Sequence, residues 1–217
     1  MGEPALIPRI VRAYDDPVVR AYCWGRFKIL RQRFLDEIGQ YLPTEGQILD
    51  LGCGFGLFSL FYAAQHATRR LHGIDLDRRR IQLAKTAASR LGLSNVRYAV
   101  GDARSFMVEA SGQLDAAYML DIVHHIAPER VQPLVQQIHR GLKPGGVLLV
   151  KDVDSRPLLK RWFTWALDKA MSPEAEVNYW PMERLGTLLE GVGFRVRKHL
   201  MVDILPYPHV LYICERT

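Results

Sequence analysis

The stretch ILDLGCGFGL, residues 48–57, is the strongest indication of the fold class of this chain. Its opening residues continue a predicted buried strand over residues 47–51, and the segment LFSLFYAAQHA that follows has the apolar pattern of a helix. Between them, Gly52, Gly54 and Gly56 allow an unusual turn and let a ligand approach the backbone closely. The start of a helix adds N–H groups that favour a negatively charged ligand group. The stretch therefore predicts a ligand-binding loop between a strand and a helix.

Strand and helix patterns alternate on the C-terminal side of this loop. Further strands are predicted at residues 71–75, 95–100, 114–120 and 147–153, the last after a turn at 143–146. Such alternation indicates βαβ units and a parallel sheet with helices on both faces. Two closing strands, predicted at residues 194–205 and 210–215, are too close in sequence for a parallel crossover and must be antiparallel. We expect an α/β, doubly wound fold.

Length and composition favour one globular domain. The chain has 217 residues, of which 48% are hydrophobic and 24% charged. We divide it into N-terminal lid helices (1–44), a cofactor-binding core (45–153), an insert that caps the acceptor (154–180) and a final helix with a β-hairpin (181–217). Three scattered cysteines without a CxxC pair argue against a disulfide framework or a structural zinc site. We expect no metal.

The charge pattern and the apolar runs bear on location and partners. No apolar run has the length of a signal peptide or of a membrane span, so we expect a soluble, cytoplasmic protein. The net charge of +6 permits an anionic partner without requiring one. We interpret the basic clusters at 69–70 and 78–80 as solvated surface, and the sequence carries no clear nucleic-acid signal.

The spacing of the glycines discriminates between cofactors. A dinucleotide site requires G-x-G-x-x-G/A, and Leu57 stands at the final position of that pattern. Asp75 ends the second strand, 19 residues after Gly56, where a carboxylate can accept both ribose hydroxyls of a nucleoside. Asp102 follows the third strand and could meet an adenine amino group. Each aspartate could instead be a helix N-cap.

At these residues the chain resembles the class I S-adenosylmethionine-dependent methyltransferases. The resemblance rests on ILDLGCGFG, on Asp75, on Gly101-Asp102-Ala103, on the segment LDIVHH at 120–125 and on LKPGG at 142–146. It implies a Rossmann-like, seven-stranded sheet in the order 3-2-1-4-5-7-6, mostly parallel with strand 7 antiparallel. It also implies S-adenosylmethionine as the cofactor.

The resemblance further implies a set of cofactor contacts. Around the methionyl part of the cofactor it places Asp50, Gly52, Cys53, Gly54 and Gly56. The ribose and the adenine edge would meet Asp75 and Leu76, and the adenine would lie against Asp102 and Ala103. Leu120 or Asp121 would face the sulfonium.

Methyl transfer needs alignment above all, and a general base is needed only when the acceptor arrives protonated. His124 and His125 follow the fourth strand, and either could be that base while the other is structural. Asp152 and Asp154 end the fifth strand, where they could serve the site or cap the next helix. In similar proteins the N-terminal segment often folds over the cofactor, and Tyr14 in that segment is expected to be a lid contact on the substrate side. Tyr207 and His209 turn the closing hairpin on the predicted substrate side.

The aromatic insert suggests the class of acceptor. Trp165 and Tyr179 lie in it and are predicted substrate contacts, although its aromatic residues could equally pack on the sheet. We predict methyl transfer to oxygen, nitrogen or carbon of a small, hydrophobic or aromatic, lipid-like acceptor, with peripheral membrane contact left open. The alternatives are a nicotinamide-dependent oxidoreductase and an inactive S-adenosylmethionine-binding partner or sensor protein. The oligomeric state is not predicted.

Overall fold

The structure is a computed structural model that describes residues 6–30, 32–102, 112–153, 178–201 and 209–217. Its contacts divide the chain into two compact units, residues 1–103 and 104–217. Of the predicted acceptor cap, residues 154–180, the structure describes only positions 178–180. Residues 206–208 of the predicted hairpin turn also lie outside the described residues, whereas His209 is described.

The first unit carries three helices before the glycine loop and a βαβαβ segment that contains it. Its elements are α1 (Leu6–Arg12), α2 (Pro17–Ile29), α3 (Gln32–Gly39), β1 (Gly46–Leu51), α4 (Leu57–Gln65), β2 (Arg69–Asp75), α5 (Arg78–Arg90) and β3 (Val96–Val100). Strand β2 pairs in parallel with both β1 and β3, with Leu71 opposite Ile48 on one side and Val96 on the other. These pairings confirm the parallel arrangement predicted from the sequence.

The second unit contains the remaining strands. Its elements are β4 (Leu114–Leu120), a short 3₁₀ helix (Val123–His125), α6 (Pro128–Gly141), β5 (Leu142–Val153), α7 (Met182–Val192), β6 (Phe194–Met201) and β7 (His209–Arg216). Strand β4 pairs with β5 in parallel, whereas β7 is antiparallel to both β5 and β6. The seven strands follow the order β3-β2-β1-β4-β5-β7-β6. The predicted fold class and strand order are confirmed.

The turn predicted at residues 143–146 is a bulge inside β5. Leu142 lies opposite Leu114 and Val147 lies opposite Ala116, so four residues of β5 face the single residue Asp115 of β4. Gly145 has a φ of 76°, which its lack of a Cβ permits. The proline and glycines thus interrupt the ladder without ending the strand, because pairing resumes at Val147.

The interpretation of residues 69–70 as solvated surface is wrong for Arg69. This side chain is only 2% exposed. Its guanidinium donates to Pro43 O at 2.8 Å, to Tyr62 O at 3.1 Å and to Gln65 Oε1 at 3.3 Å. Arg69 therefore ties β2 to α4 and to the segment before β1.

Both units have an apolar core among their described residues. The buried residues of β4 and β5 include Ala117, Tyr118, Leu148 and Leu149. Among the described residues, no helix combines the length and the apolar character needed to cross a bilayer.

Candidate active site

The glycine loop of the first unit has the backbone geometry that its sequence predicts. Gly52, Gly54 and Gly56 have φ values of 76°, 56° and 79°. A Cβ added to Gly56 would lie 2.6 Å from Tyr98 Oη, so this glycine is required by packing inside the unit. A Cβ added to Gly54 would meet no atom within 4 Å. Gly54 therefore opens onto space where a ligand can approach the backbone.

Asp75 holds this loop through its carboxylate. The Gly54 N–H donates to Asp75 Oδ2 at 2.8 Å, and the Asp77 N–H donates to Asp75 Oδ1 at 2.9 Å. Each oxygen keeps a lone pair for a further donor such as a ribose hydroxyl. The N-cap of α5 is Asp77, which accepts from the N–H groups of Arg79 and Arg80. The alternative in which Asp75 caps that helix is wrong.

The segment between α1 and α2 lies against the glycine loop. The buried Tyr14 hydroxyl donates to Phe55 O at 2.7 Å, and the Tyr22 ring packs on the Phe55 ring at 5.3 Å between centroids. Burial raises the pKa of Tyr14 well above its ordinary value, so the phenol stays protonated as a donor. Two ion pairs anchor the same segment to α5, Asp15 to Arg90 and Asp16 to Arg79. A lid contact by Tyr14 is consistent with these positions.

The other predicted cofactor residues of this unit lie near the ends of its strands. Asp50 and Cys53 are buried, Leu76 is exposed and Asp102 is half-buried. Burial, with Asp50 and Asp75 nearby, raises the pKa of the Cys53 thiol well above its ordinary value. The thiol is therefore neutral and unsuited to act as a nucleophile. Ala103 lies outside the described residues.

His124 and Asp152 form a buried pair in the second unit. His124 Nδ1 lies 2.5 Å from Asp152 Oδ1, and the His124 N–H donates to Asp152 Oδ2 at 3.0 Å. Asp152 is buried near the end of β5, and its two carboxylate oxygens contact the backbone N–H and the ring of His124. The alternative in which Asp152 is a solvated helix cap is therefore wrong. A histidine oriented in this way by a carboxylate is the usual arrangement of a general base.

Two neighbouring rings complete this cluster. The His125 ring, which is half-buried, lies 4.1 Å from the His124 ring between centroids. The Tyr179 ring stacks on His124 at 5.7 Å and 25°, and the Asn178 N–H donates to His124 O at 2.6 Å. The structure thus brings Tyr179, predicted as a substrate contact, onto the predicted base.

A second charge pair, of the buried Lys151 with the largely buried Asp121, lies beside the first. Lys151 Nζ forms an ion pair with Asp121 Oδ1, and the Asp121 N–H donates to Lys151 O at 2.9 Å. Asp121 has a φ of 58°, the one positive value of a non-glycine residue among the described residues. Leu120, which is buried, pairs with Lys151 across the sheet. The lysine thus holds the residue that follows β4 in an uncommon backbone conformation.

The structure describes some of the remaining predicted site residues. His209 is buried at the start of β7 opposite Val153, next to the carboxyl end of β5. Trp165, Tyr207 and Asp154 lie outside the described residues. The role of Lys151 was missed, although a lone lysine inside the apolar run VLLVKDV was a usable signal because lysine is rarely buried unpaired. Within the described residues, no three His, Cys, Asp or Glu side chains are grouped to hold a metal ion.

Known proteins share this fold and these motifs. The model of the family described as "Methyltransferase domain" matches residues 48–146. An uncharacterized methyltransferase of Synechocystis is 30% identical over 158 residues, which cover 71% of this chain and 69% of that protein. A demethylmenaquinone methyltransferase of Leptospira interrogans is 24% identical over 92% of this chain and 76% of its own length. The chain spans only about half the length of the similar ubiquinone biosynthesis O-methyltransferases.

The solved structures agree on the architecture. A SAM-dependent methyltransferase from Archaeoglobus fulgidus superposes with a TM-score of 0.71 at 16% identity, covering 90% of this chain and 99% of that one. At this identity the superposition shows the fold, while the motifs and the Synechocystis relative show the family. The chain belongs to the class I S-adenosylmethionine-dependent methyltransferases, and S-adenosylmethionine is its cofactor.

Proposed function

We propose that this protein methylates a small, hydrophobic aromatic acceptor that carries a hydroxyl group, such as a reduced quinone, and that His124 removes the hydroxyl proton. The main support for this proposal is the contact of His124 Nδ1 with Asp152 Oδ1 at 2.5 Å, together with the Tyr179 ring stacked on the His124 ring. The name of the demethylmenaquinone methyltransferase adds support for a quinone-like acceptor.

The pair works because Asp152 fixes the tautomer of the imidazole. When Nδ1–H donates to the carboxylate, the basic lone pair lies on Nε2. The imidazolium that forms on proton uptake is stabilised by the buried Asp152 carboxylate. Removal of a phenolic proton raises the electron density on both the oxygen and the adjacent ring carbons. The same base therefore serves O-methylation and C-methylation.

Tyr179 gives this base an aromatic neighbour. Its ring already stacks on the imidazole, so an aromatic acceptor finds a flat apolar wall beside His124. His125, whose ring lies next to that of His124, and His209 at the start of β7 add polar groups near the carboxyl ends of β4 and β5. This combination of apolar wall and few polar groups suits a small aromatic ligand.

The residues of the first unit suit the cofactor. S-adenosylmethionine, when bound, supplies a methyl group on a sulfonium. We assign the ribose hydroxyls to Asp75, the open backbone at Gly54 to the methionyl part, and the adenine to Asp102. The open space at Gly54 and the remaining lone pairs of Asp75 support this assignment.

Mass spectrometry on matched acceptors tests the proposed function. The purified protein is incubated with S-adenosylmethionine and a reduced naphthoquinone that lacks a ring methyl, and in parallel with its dimethyl ether. We expect the free hydroxyl compound to gain the mass of one methyl group and the ether to gain none. Methylation of the ether at the same rate, or of neither compound nor any other aromatic alcohol, would contradict the proposal.

We expect Asp75→Ala to weaken S-adenosylhomocysteine binding at least tenfold, because charge-assisted hydrogen bonds are worth about 1.5–3 kcal/mol each. It should also lower the melting temperature of the free protein, since the Gly54 and Asp77 N–H groups lose their acceptor. Calorimetric titration and thermal melting measure the two effects.

The control for this prediction is Asp77→Ala, two residues away. It removes the N-cap of α5 and should cost about 0.5–2 kcal/mol of stability while leaving cofactor affinity intact. If both variants lose affinity equally, Asp75 has no specific role toward the ribose.

Tyr14→Phe tests the lid contact. The variant loses the hydroxyl that donates to Phe55 O, so the segment between α1 and α2 should hold the glycine loop less firmly. We expect cofactor affinity to fall roughly two- to tenfold, the equivalent of one buried hydrogen bond. Tyr22→Phe keeps its ring contact with Phe55 and should bind like the wild type. Equal cofactor affinity of Tyr14→Phe and the wild type would show that the Tyr14 hydroxyl does not contribute to the site.

A further inference from the structure

The first two helices form an exposed basic surface with an apolar groove. Helix α1 carries two arginines and α2 carries two arginines and one lysine, whereas neither helix contains an aspartate or a glutamate. The groove has a volume of about 720 Å³, and Ile7, Val11, Phe27 and Trp24 lie along it. Arg12 and Lys28 belong to the same lining. We call Arg12, Trp24, Lys28 and this groove the α1–α2 surface.

Trp24 is the unusual member of this surface. Its side chain is 57% exposed, although tryptophan is costly to leave in water. The Lys28 ammonium lies 5.0 Å from the Trp24 ring centroid. The ring and the charge therefore occupy one place on the surface, which is the arrangement of residues found where a protein meets lipid headgroups.

The two aspartates between the helices pair with arginines of another helix. Asp15 pairs with Arg90 of α5, and Asp16 pairs with Arg79 of the same helix. Arg12 and Lys28 are exposed and place positive charge beside an exposed aromatic ring and an apolar groove. An anionic polymer would need only the charge, whereas the groove also offers space for an acyl chain.

We infer that the α1–α2 surface docks the protein on anionic phospholipid bilayers. Trp24 enters the headgroup region, Arg12 and Lys28 contact lipid phosphates, and the groove takes acyl-chain atoms. The inference does not depend on the proposed acceptor, although docking at a bilayer would deliver a lipid-like acceptor to the enzyme.

Cosedimentation with lipid vesicles tests the inference. The full chain is mixed with vesicles of phosphatidylcholine alone and of phosphatidylcholine with phosphatidylglycerol, at low and high salt. We expect binding to the anionic vesicles alone and its loss at high salt, because salt screens the phosphate contacts. Arg12→Gln and Lys28→Gln should each weaken binding about fivefold. Trp24→Ala should weaken it roughly tenfold or more.

Matched variants control for charge and for exposed apolar area. Arg78→Gln removes an exposed charge from α5, and Leu200→Ala removes a side chain on β6 that is 62% exposed. Both should bind vesicles like the wild type. Since Trp24 lies outside the proposed site, Trp24→Ala should keep its affinity for S-adenosylhomocysteine.

Three results of the vesicle experiment would overturn the inference, and a fourth comes from competition with RNA. The three are no binding to anionic vesicles, undiminished binding by Trp24→Ala, and equal binding to neutral vesicles. Displacement of the vesicles by an equal charge of RNA, with loss in the same three variants, would assign the surface to nucleic acid and also overturn it. None of these results affects the proposed methyl transfer, which is measured separately on a water-soluble acceptor.

Discussion

His124→Gln should slow methyl transfer to an aromatic alcohol by about 10²–10⁴-fold, the usual contribution of a positioned general base. Glutamine keeps a polar side chain of similar length but cannot take up the acceptor proton. Affinity for S-adenosylhomocysteine should change little, since no cofactor contact is assigned to this ring. Single-turnover rates at saturating cofactor, together with calorimetric titration, measure the two quantities.

Asp152→Asn provides an independent test of the same pair. The amide can no longer stabilise an imidazolium, so we expect a rate loss of the same order even though the shape of the site is kept. His125→Gln is the matched control from the adjacent position and should retain most of the activity. Full activity in either His124→Gln or Asp152→Asn would show that their buried contact is only structural.

Lys151→Met should lower the free energy of unfolding by about 3–5 kcal/mol, the usual cost of removing one partner of a buried ion pair. The Lys151 side chain is 1% exposed, and its Nζ pairs with the Asp121 carboxylate. In the variant, the Asp121 carboxylate stays largely buried beside the methionine side chain without a positive partner. The ion pair that stabilises the positive φ of Asp121 is also lost. Urea unfolding of the cofactor-free protein measures the loss.

Two further variants make this prediction specific. Lys143→Met breaks the exposed pair of Lys143 with Asp115 and should cost no more than about 1 kcal/mol. Asp121→Asn combined with Lys151→Met should recover part of the lost stability, because no unpaired charge remains and asparagine tolerates positive φ. Equal losses of unfolding free energy in Lys151→Met and Lys143→Met would mean that the Lys151–Asp121 pair contributes no more to stability than an exposed pair.

The architecture was predictable because it depends on local patterns. Short apolar runs, helical periodicity and glycines recur along the chain in an order that only a parallel α/β sheet satisfies. The short connection before β7 also predicted its antiparallel direction from chain length alone. The bulge at residues 143–146 was harder to predict, since proline and glycine indicate a break in the strand pairing but not whether the strand continues beyond it.

The contacts within the candidate site were less predictable because they join residues far apart in sequence. His124 and Asp152 are 28 positions apart and meet only because β4 and β5 are neighbours in the sheet. The Lys151–Asp121 pair depends on the same register. Arg69 was misjudged for a related reason, since its carbonyl partners Pro43 and Tyr62 become neighbours only in the folded unit.

We propose that His124 takes a proton from the acceptor, and this claim predicts that the need for His124 depends on the ionisation state of the acceptor. Single-turnover methyl transfer is measured for the wild type and His124→Gln with two phenolic acceptors of similar shape. One is already ionised at the assay pH, and the other is protonated. We expect a large rate loss for the protonated acceptor and almost none for the ionised one, which needs no base. An equal loss for both acceptors would contradict the claim and leave His124 as a structural residue.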